Sequence, residues 1–513
     1  MACLLGIDLG TSGVKTLIVE ETGRVVARAT EDYPLLTPRP GWAEQEPAEW
    51  WEATVRSLRA ALAAGGLTGA DITAIGLSGQ MHGSVFLDAN DEIIRPALLW
   101  CDQRTAEQCR WITEAVGAET LVAETCNPVL TGFQAPKILW LRDNEPENYA
   151  RVRRVLLPKD FLRQRLTGEY ATEVSDASGT SLLNVPRRAW SEVILERTGI
   201  PREWLPEVYE SPEVSGRISA RAAELTGLRE GTPVVGGGGD QAAGAVGNGI
   251  VETGVVSSTL GTSGVVFAHL DAPLLDPELR THTFCHAVPG KWHVMGVMLS
   301  AGGSLRWLRD TLCAEEKARA VESGRDPYEL MVEEAATVPT SEGLIFLPYL
   351  TGERTPYPNP HARGVFFGLS LRHGKAHLLR AVLEGLAFGM RDSFEIIKGM
   401  GVELVQVRAS GGGARSRVWR QIQANVSGEA HCVINVDEGP ALGVALLAGV
   451  GAGVYGSVPE ACRATIRTLD EVAPEPAEVA RYQGYYQLYR NLYGQLKESF
   501  EEAQNLIEAE LPA

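Results

Sequence analysis

Cysteine is scarce in this sequence, and no two cysteines form a Cys-x-x-Cys pair. The 513 residues contain eight cysteines, at positions 3, 101, 109, 126, 285, 313, 432 and 462. A chain of this length can bury enough apolar surface to fold without disulfide staples, and the scattered positions outline no disulfide framework. We therefore expect reduced thiols and a cytoplasmic protein.

Long apolar stretches are absent as well. The longest one, Ala441 to Tyr455, is short for a bilayer span and carries several glycines, which favours a buried core helix. The first residues, Met1 to Asp8, lack the basic segment and the small-residue cleavage site of a signal peptide. The sequence therefore predicts no membrane segment.

Positive charge is in deficit. Lys and Arg together number 47 against 65 Asp and Glu, which gives a formal net charge of -18. This charge repels phosphate backbones and anionic lipid surfaces, so neither nucleic acid nor a membrane is an expected partner. A small anion such as a nucleotide can still bind through local backbone amides and a metal ion.

The length and composition predict a globular protein of at least two domains. A chain of 513 residues exceeds what one hydrophobic core of ordinary size accommodates. Hydrophobic residues make up 44% and charged residues 22%, proportions that are typical of folded proteins.

One six-residue string occurs twice. Leu9-Gly-Thr-Ser-Gly-Val14 is repeated without change as Leu260-Gly-Thr-Ser-Gly-Val265. Each copy joins an apolar strand to a second β-rich run, which predicts a hairpin with a Gly-Thr-Ser-Gly turn. The chain therefore divides into two related halves, each of which opens with such a hairpin.

These turns are candidate phosphate sites. Successive backbone amides and hydroxyl groups form a concavity that suits phosphate oxygens, although a single Gly-Thr-Ser-Gly string is also ordinary turn chemistry. The duplication favours a function in binding. The candidate residues are Gly10, Thr11, Ser12, Gly261 and Thr262.

Two carboxylates stand at positions that suit catalysis. Asp8 lies on the first strand, directly before its turn, where a carboxylate can hold Mg²⁺ beside phosphates or can simply form the turn. Asp240 follows four glycines at the start of a predicted helix, where it can serve as a general base, as a metal ligand or as the helix N-cap.

Two further stretches attract attention. Gly411, Gly412 and Gly413 lie between a strand and a helix, which favours a close approach to an adenosine, bordered by Asn425 or Arg415. The histidines around Thr281 to His286 resemble metal ligands, but strand alternation spreads them over both faces, so we expect no zinc there.

Together these motifs resemble the FGGY family of carbohydrate kinases, in the actin-like ATPase superfamily. The most specific stretch is Gly364-Val-Phe-Phe-Gly-Leu369, followed by His377-Leu378 and Ala381-Val-Leu-Glu384, which fits the C-terminal signature of the family. The N-terminal signature is recognisable in Gly132 to Asn144, with Gln134 where the family prefers Pro, Ser or Thr.

The resemblance implies an α/β fold of two related actin-like (ribonuclease H-like) ATPase domains with a cleft between them. It places a sugar-binding domain in residues 1–247 and a domain with most of the adenosine site in residues 248–470. Residues 471–513 form an amphipathic helix, rich in tyrosine, that packs on the second domain or at a dimer interface. A homodimer is expected from the resemblance.

The resemblance also implies ATP and Mg²⁺ as cofactors and assigns roles in the site. Asp8 is the metal-linked acid and Asp240 the catalytic base. Ser78-Gly-Gln-Met-His-Gly83 resembles the form found in members that phosphorylate D-xylulose to D-xylulose 5-phosphate. The implied sugar contacts are Gln80, Met81, His82, Asp102, Asp240 and Gln241. The alternatives are a kinase for another ketose or polyol and an actin-like, ATP-driven binding protein.

Overall fold

The first half of the chain folds around a seven-stranded mixed sheet. The computed structural model describes residues 2–510. The strands of this half are β1 Cys3–Leu9, β2 Gly13–Glu20, β3 Val25–Asp32, β4 Glu44–Gln45, β5 Ile72–Gly79, β6 Val85–Leu87, β7 Ala97–Leu98, β8 Arg154–Leu156, β9 Ala171–Glu173, β10 Leu183–Asn184, β11 Ala189–Trp190, β12 Glu207–Tyr209, β13 Val214–Arg217, β14 Pro233–Val235 and β15 Gly238–Gly239. Its helices are α1 Pro47–Gly65, α2 Ala106–Val116, α3 Ala118–Thr125, α4 Gln134–Asn144, α5 Pro146–Arg151, α6 Pro158–Thr167, α7 Val174–Ala177, α8 Glu192–Thr198, α9 Ala220–Thr226 and α10 Asp240–Gly247.

The second half folds around a seven-stranded sheet of its own. Its strands are β16 Val255–Leu260, β17 Gly264–Leu270, β18 His282–Cys285, β19 Trp292–Met298, β20 Ile345–Leu347, β21 Val365–Phe367, β22 Gln406–Gly411, β23 His431–Ile434 and β24 Thr468–Val472. Its helices are α11 Gly302–Leu312, α12 Ala314–Ser323, α13 Pro327–Ala335, α14 Lys375–Gly399, α15 Arg417–Ser427, α16 Pro440–Gly451, α17 Val458–Thr465 and α18 Pro476–Glu510.

Six of the seven strands in each sheet share one topology, which confirms the two related halves predicted from the repeated string; β15, beside β5, and β18, beside β19, lie outside it. The first sheet runs β3-β2-β1-β5-β14-β13, and its pairs are antiparallel, antiparallel, parallel, parallel and antiparallel. The second runs β19-β17-β16-β22-β23-β24 with the same five pairings in the same order. The string repeat is therefore the visible part of a structural repeat.

Both Gly-Thr-Ser-Gly strings form the predicted hairpin turns. In the first hairpin Leu9 pairs with Val14, and in the second Leu260 pairs with Gly264. Strands β1 and β16 are central in their sheets, so they are flanked on both sides by other strands and most of their residues are buried. Each turn therefore projects from the middle of a sheet, at the carboxyl end of a parallel pair.

Helix α16 lies on the first sheet, although it comes late in the chain. It contains most of the longest apolar run, and its residues from Ala441 to Gly449 are buried, as predicted. A Cβ atom added to Gly6 would lie 1.9 Å from the carbonyl oxygen of Ala441, and one added to Gly76 would lie 2.0 Å from that of Val444. The helix backbone therefore rests directly on strands β1 and β5.

Helix α18 packs on the second half through its tyrosines. Tyr482, Tyr486 and Tyr489 are buried in the same apolar cluster as residues of α14 and β20. The Tyr489 and Tyr349 hydroxyl groups lie 3.1 Å apart and share a hydrogen bond. Within residues 2–510, no helix combines the length and the apolar character needed to cross a membrane.

The close contact at Gly76 generates a stability prediction. A Gly76→Ala variant should lose about 1–3 kcal/mol of stability, because its methyl group has to displace the backbone of α16 from the sheet. The measurement is the apparent melting temperature from a thermal shift assay.

Gly484→Ala is the matched control. Gly484 lies on the exposed side of α18, and an added Cβ atom there meets nothing within 4 Å. Alanine in a helix interior should raise stability by about 0.5–1 kcal/mol. Equal melting temperatures for the two variants would contradict the direct backbone contact between α16 and β5.

Candidate active site

Asp8 is a half-buried carboxylate at the end of the central strand β1. It lies opposite Lys15 on β2 and opposite Ser78 on β5. Burial raises the pKa of Asp8 to about 6, and its Oδ1 has no hydrogen-bond partner within the described residues 2–510. A buried carboxylate oxygen without a donor is a fitting ligand for a cation.

Asp240 is the first residue of α10. Gly239 precedes it as the cap residue, so the alternative that Asp240 itself caps the helix is wrong. Burial, together with the negative charge of Asp8, raises the pKa of Asp240 to about 7. The Gln241 side-chain amide donates to the Asp240 Oδ1 over 3.3 Å. The structure therefore brings the two predicted carboxylates into one electrostatic site.

The glycines before Asp240 have a packing role. Gly237 has a φ of 75°, and a Cβ atom there would lie 1.9 Å from the carbonyl oxygen of Leu77. A Cβ atom on Gly239 would lie 2.9 Å from the Cγ of Met81. The glycines thus let the turn lie against β5 and against Met81, which fixes Asp240 beside the predicted sugar residues.

A buried cluster of charged side chains holds this turn from behind. Arg163 donates to the carbonyl oxygens of Val235 at 2.7 Å and Gly236 at 2.6 Å. The Ser175 hydroxyl accepts a hydrogen bond of 3.1 Å from the Gly239 amide. Such a network is costly to bury unless its members are paired, so it fixes one arrangement. The cluster consists of Lys159, Asp160, Arg163, Glu173 and Asp176.

His82 has a fixed tautomer and a strained backbone. Its φ is 68°, and its ring stacks on Phe133 with 4.6 Å between ring centroids. Burial lowers the pKa of His82 to about 3, so the ring is neutral at physiological pH. The ring Nδ1 lies 2.7 Å from the Gly179 carbonyl oxygen and donates to it, which leaves Nε2 as an acceptor for a hydroxyl group.

Lys137 holds His82 in this conformation, although the sequence motifs did not predict it as a site residue. Its ammonium group donates to the carbonyl oxygens of His82 at 2.9 Å and of Gly132 at 2.6 Å. Burial lowers its pKa to about 7. The one indication of Lys137 in the sequence is that a lysine interrupts the apolar residues of the N-terminal signature. Gln134, the departure in that signature, donates to the Gly83 carbonyl oxygen over 3.0 Å.

The structure corrects the predicted sugar contacts of Gln80 and Asp102. Gln80 is 1% exposed; its side-chain amide donates to the Gln45 side-chain oxygen, and its side-chain oxygen accepts from the Thr11 hydroxyl. The Asp102 carboxylate accepts from the Ala43 amide at 2.7 Å and from both the backbone and the guanidinium of Arg104. A carboxylate has about four acceptor positions, so Asp102 is saturated by the protein.

The first Gly-Thr-Ser-Gly turn is anchored at several points, among them the carbonyl oxygens of Gly10 and Ser12, which accept hydrogen bonds from the Tyr33 hydroxyl and the Tyr33 amide. The Trp100 indole donates to the Thr11 hydroxyl over 2.9 Å, and the Gln45 amide donates to the Thr11 carbonyl oxygen over 2.7 Å. Ser12, at the tip, is exposed. The turn is thus held through Thr11 and through the carbonyl oxygens of its neighbours, while Ser12 is exposed and its hydroxyl can donate to phosphate oxygens.

The second turn is held by the start of α11. The Gly302 amide donates to the Gly261 carbonyl oxygen over 2.8 Å, and the Ala301 and Gly303 amides both donate to that of Thr262 over 3.0 Å. A Cβ atom on Gly302 would lie 2.4 Å from the Gly261 oxygen, so glycine is required there.

A cavity of about 740 Å³ opens beside the second turn. The predicted glycines Gly412 and Gly413 line it, and so do Thr262 and Arg415. Gly411 has a φ of 73° and lies against Leu260, because β22 runs parallel to β16. The remaining wall is formed by α11, α13 and the start of α15, which the sequence did not identify.

Asn425 is a further correction, because it does not line this cavity. Its Oδ1 accepts hydrogen bonds from the Glu475 amide at 2.9 Å and from the Gln421 side chain at 3.0 Å. It lies two turns along α15 from the residues that do line the cavity, and it fixes the segment that leads to α18.

This geometry defines the class of the protein. Two related α/β halves, each with a turn suited to phosphate at the centre of its sheet, form the actin-like ATPase fold predicted from the sequence. The N-terminal domain of the FGGY family of carbohydrate kinases matches residues 3–247, and the C-terminal domain matches residues 256–452. The chain therefore belongs to this family of carbohydrate kinases.

Known proteins are similar to this chain in sequence and in structure over nearly its full length. The chain is 41% identical over 499 residues to the xylulose kinase of Escherichia coli (strain K12), with 96% of this chain and 99% of the relative covered. It is 37% identical over 499 residues to the xylulose kinase of Bacillus subtilis (strain 168), with 97% and 98% covered. The crystal structure of xylulose kinase from Rhodospirillum rubrum matches with a TM-score of 0.88 at 30% identity, with 97% of this chain and 100% of that chain covered.

The contacts of Lys137 predict an effect on sugar binding. A Lys137→Met variant should raise the KM for the sugar by about tenfold or more, because the His82 carbonyl oxygen loses a charged donor. The KM for ATP should stay unchanged. Steady-state kinetics with each substrate varied in turn provide the measurement.

Lys497→Met, on the exposed face of α18, is the control and should change neither constant. An unchanged sugar KM in the Lys137 variant would show that the His82 conformation does not depend on this lysine.

Proposed function

We propose that this protein transfers the γ-phosphoryl group of Mg-ATP to D-xylulose and releases D-xylulose 5-phosphate and ADP. The observation that carries the proposal is Asp240, a half-buried carboxylate with a pKa of about 7 that directly follows Gly239, the glycine packed against Met81. The relatives that bear the name xylulose kinase support this choice of sugar.

The sugar is expected to lie between the Met81-His82 pair and Asp240. The terminal hydroxyl group of the ketose donates its hydrogen bond to the Asp240 carboxylate. The His82 Nε2 accepts from a second hydroxyl, and Gln241 keeps the Asp240 carboxylate in position. The Met81 side chain supplies an apolar wall.

The nucleotide is expected to lie across the two turns. Amides and hydroxyl groups of Gly10 to Gly13 and of Gly261 to Gly264 bind phosphate oxygens, and the cavity beside Gly413 takes the adenosine. Such donors are already oriented before the reaction, so they stabilise the charge on the phosphoryl group as it is transferred.

The residues present fit a magnesium ion. Asp8 has a buried oxygen without a partner within residues 2–510. Burial raises the pKa values of Asp8 and Asp240, and the negative charge of Asp8 raises that of Asp240 further. Asp8, with Asp240, would hold the ion. When bound, Mg²⁺ neutralises phosphate charge.

In the transfer, Asp240 accepts the proton of the sugar hydroxyl as the oxygen attacks phosphorus. Because the transition state is loose, most of the acceleration comes from positioning the two substrates and from stabilising the charge on the phosphoryl oxygens. Proton removal by the base contributes about a hundred- to ten-thousandfold in rate.

An Asp240→Asn variant tests this role. It should lower kcat for D-xylulose by about a hundred- to ten-thousandfold and should still bind ATP, because an amide cannot accept the proton. A coupled ADP-release assay gives kcat, and a thermal shift with ATP reports binding. Asp310→Asn, on the surface of α11, should behave as the unmodified protein. Near-normal turnover of the Asp240 variant would exclude the proposed base.

The raised pKa of Asp240 predicts a pH profile. The base works only as a carboxylate, so kcat/KM should rise as the pH increases towards about 7 and level off above it. Below that value it should fall about tenfold for each pH unit. The profile should be measured between pH 5.5 and 8.5, with folding checked by circular dichroism at each pH. A flat profile would contradict Asp240 as the titrating base.

The same assay with other acceptors tests the sugar. D-xylulose should give a kcat/KM well above those of L-xylulose, D-ribulose, L-ribulose, glycerol and gluconate. Preference for another of these acceptors would assign this protein to a different ketose or polyol. ATP hydrolysis that ignores every sugar would favour the actin-like binding protein instead.

A further inference from the structure

Arg354 is a half-buried cation whose guanidinium forms no ion pair within residues 2–510, although the neighbouring Glu353 carboxyl acts on it electrostatically. Among residues 2–510, no side-chain or main-chain oxygen forms a hydrogen bond or an ion pair with that group. Its only hydrogen bond is from the backbone amide to the Glu353 Oε1, at 2.8 Å. Other arginines in buried surroundings, such as Arg104 and Arg163, are paired.

The backbone of Arg354 is rigidly fixed to the second sheet. The Thr355 amide donates to the Val297 carbonyl oxygen over 3.0 Å, and the Val297 amide donates to the Thr355 hydroxyl over 3.0 Å. The Leu299 amide donates to the Glu353 Oε1 over 2.9 Å. Strand β19, which carries Val297, pairs at its end with Gly264, the last residue of the second turn. Arg354 is thus anchored close to that turn.

The guanidinium also acts on the sugar-binding residues of the first half. Its positive charge, after burial, contributes to the lowered pKa of His82 and of His282. His282 lies on β18 and shares a hydrogen bond of 3.1 Å with Asn127 of the first half. Val297, whose amide bonds to Thr355, packs against the apolar cluster that contains Met81 and Phe133 of the first half, so the segment with Arg354 lies beside the predicted sugar-binding residues.

A half-buried guanidinium without an ion pair is suited to bind an anion. Its burial is costly unless an opposite charge offsets it, and a neutral ketose offers only hydroxyl groups. The anions that the proposed reaction brings here are the phosphates of ATP and the phosphate of the product. The planar guanidinium suits phosphoryl oxygens because it donates two parallel hydrogen bonds.

We infer that Arg354 is a catalytic residue whose guanidinium donates hydrogen bonds to the phosphoryl group as it passes from ATP to the sugar. The inference rests on the function proposed above. The sugar oxygen forms the new bond to the γ-phosphorus while the bond from that phosphorus to the β,γ-bridging oxygen breaks. The proton goes to Asp240, ADP leaves with the electron pair of the broken bond, and Arg354 stabilises the oxygens in transit.

The test is a set of variants at this position. Arg354→Met, which preserves much of the side-chain volume, should lower kcat by about a hundred- to a thousandfold, while the KM values for sugar and for ATP change less than about fivefold. Arg354→Lys should retain intermediate turnover, because it keeps the charge but loses the paired donors. In an Arg354→Ala variant, added guanidinium chloride at low millimolar concentration should restore part of kcat.

Arg372→Ala is the control, because Arg372 is an exposed arginine of the same half that pairs with Glu342 on the surface. It should keep the unmodified kcat and should not respond to guanidinium. A retained kcat in the Met variant, or a raised sugar KM at constant kcat, would overturn the assignment to the phosphoryl group. Melting temperatures of the Met and Lys variants close to that of the unmodified protein are expected, and a large drop in both would instead assign Arg354 to the fold.

This test can be separated from that of the proposed function. If the unmodified protein prefers a sugar other than D-xylulose, the proposed substrate fails, and the same comparison at Arg354 is made with the preferred sugar. If Asp240→Asn is inactive while the Arg354 variants are fully active, the kinase assignment stands and the inference on Arg354 fails.

Discussion

The direct backbone contact between helix α16 and the first sheet is the constraint on which the arrangement of the two halves depends. Carbonyl oxygens of α16 lie directly against Gly6 and Gly76, so close that neither glycine has room for a Cβ atom. Gly443 of α16 is in the same kind of contact with the Ala243 carbonyl oxygen of α10. Side chains cannot enter such a contact, so the spacing of sheet and helices has little freedom. A segment far along the chain thereby completes the first half. It also fixes α10, with Asp240 at its start, relative to Asp8 on β1.

The active site is electrostatically unfavourable as the protein alone builds it. Asp8 and Asp240 are half-buried and close enough for the charge of Asp8 to act on Asp240, and both have raised pKa values. In the same region Arg354 is a half-buried cation that forms no ion pair within residues 2–510. Charges left unpaired by the fold are charges that ligands can satisfy: a cation at the carboxylates and a phosphoryl group at the arginine. The free protein carries the electrostatic cost of these unpaired charges. When the substrates bind, their charges offset that cost and so favour binding and catalysis.

The amino-acid sequence was sufficient for every feature that depends on near neighbours in the chain. The hairpins, the buried helix α16 and the strand-to-helix turn at Asp240 follow from alternation, apolar runs and glycine chemistry, which act over a few residues. The repeated string also revealed the internal repeat, because both copies form the same hairpin turn. The two carboxylates were found in the same way, since each directly follows or precedes a recognisable turn.

What only the tertiary structure decided is which polar side chains are already occupied. Asp102 and Asn425 looked available, yet Arg104 and Glu475 use their oxygens, and those partners are set by loop packing. Lys137 and Arg354 gave no strong local pattern, because their roles depend on a carbonyl oxygen 55 residues away and on the meeting of two halves. Sequence patterns record local preferences, whereas the occupancy of a hydrogen-bonding group depends on distant parts of the chain that only folding brings together.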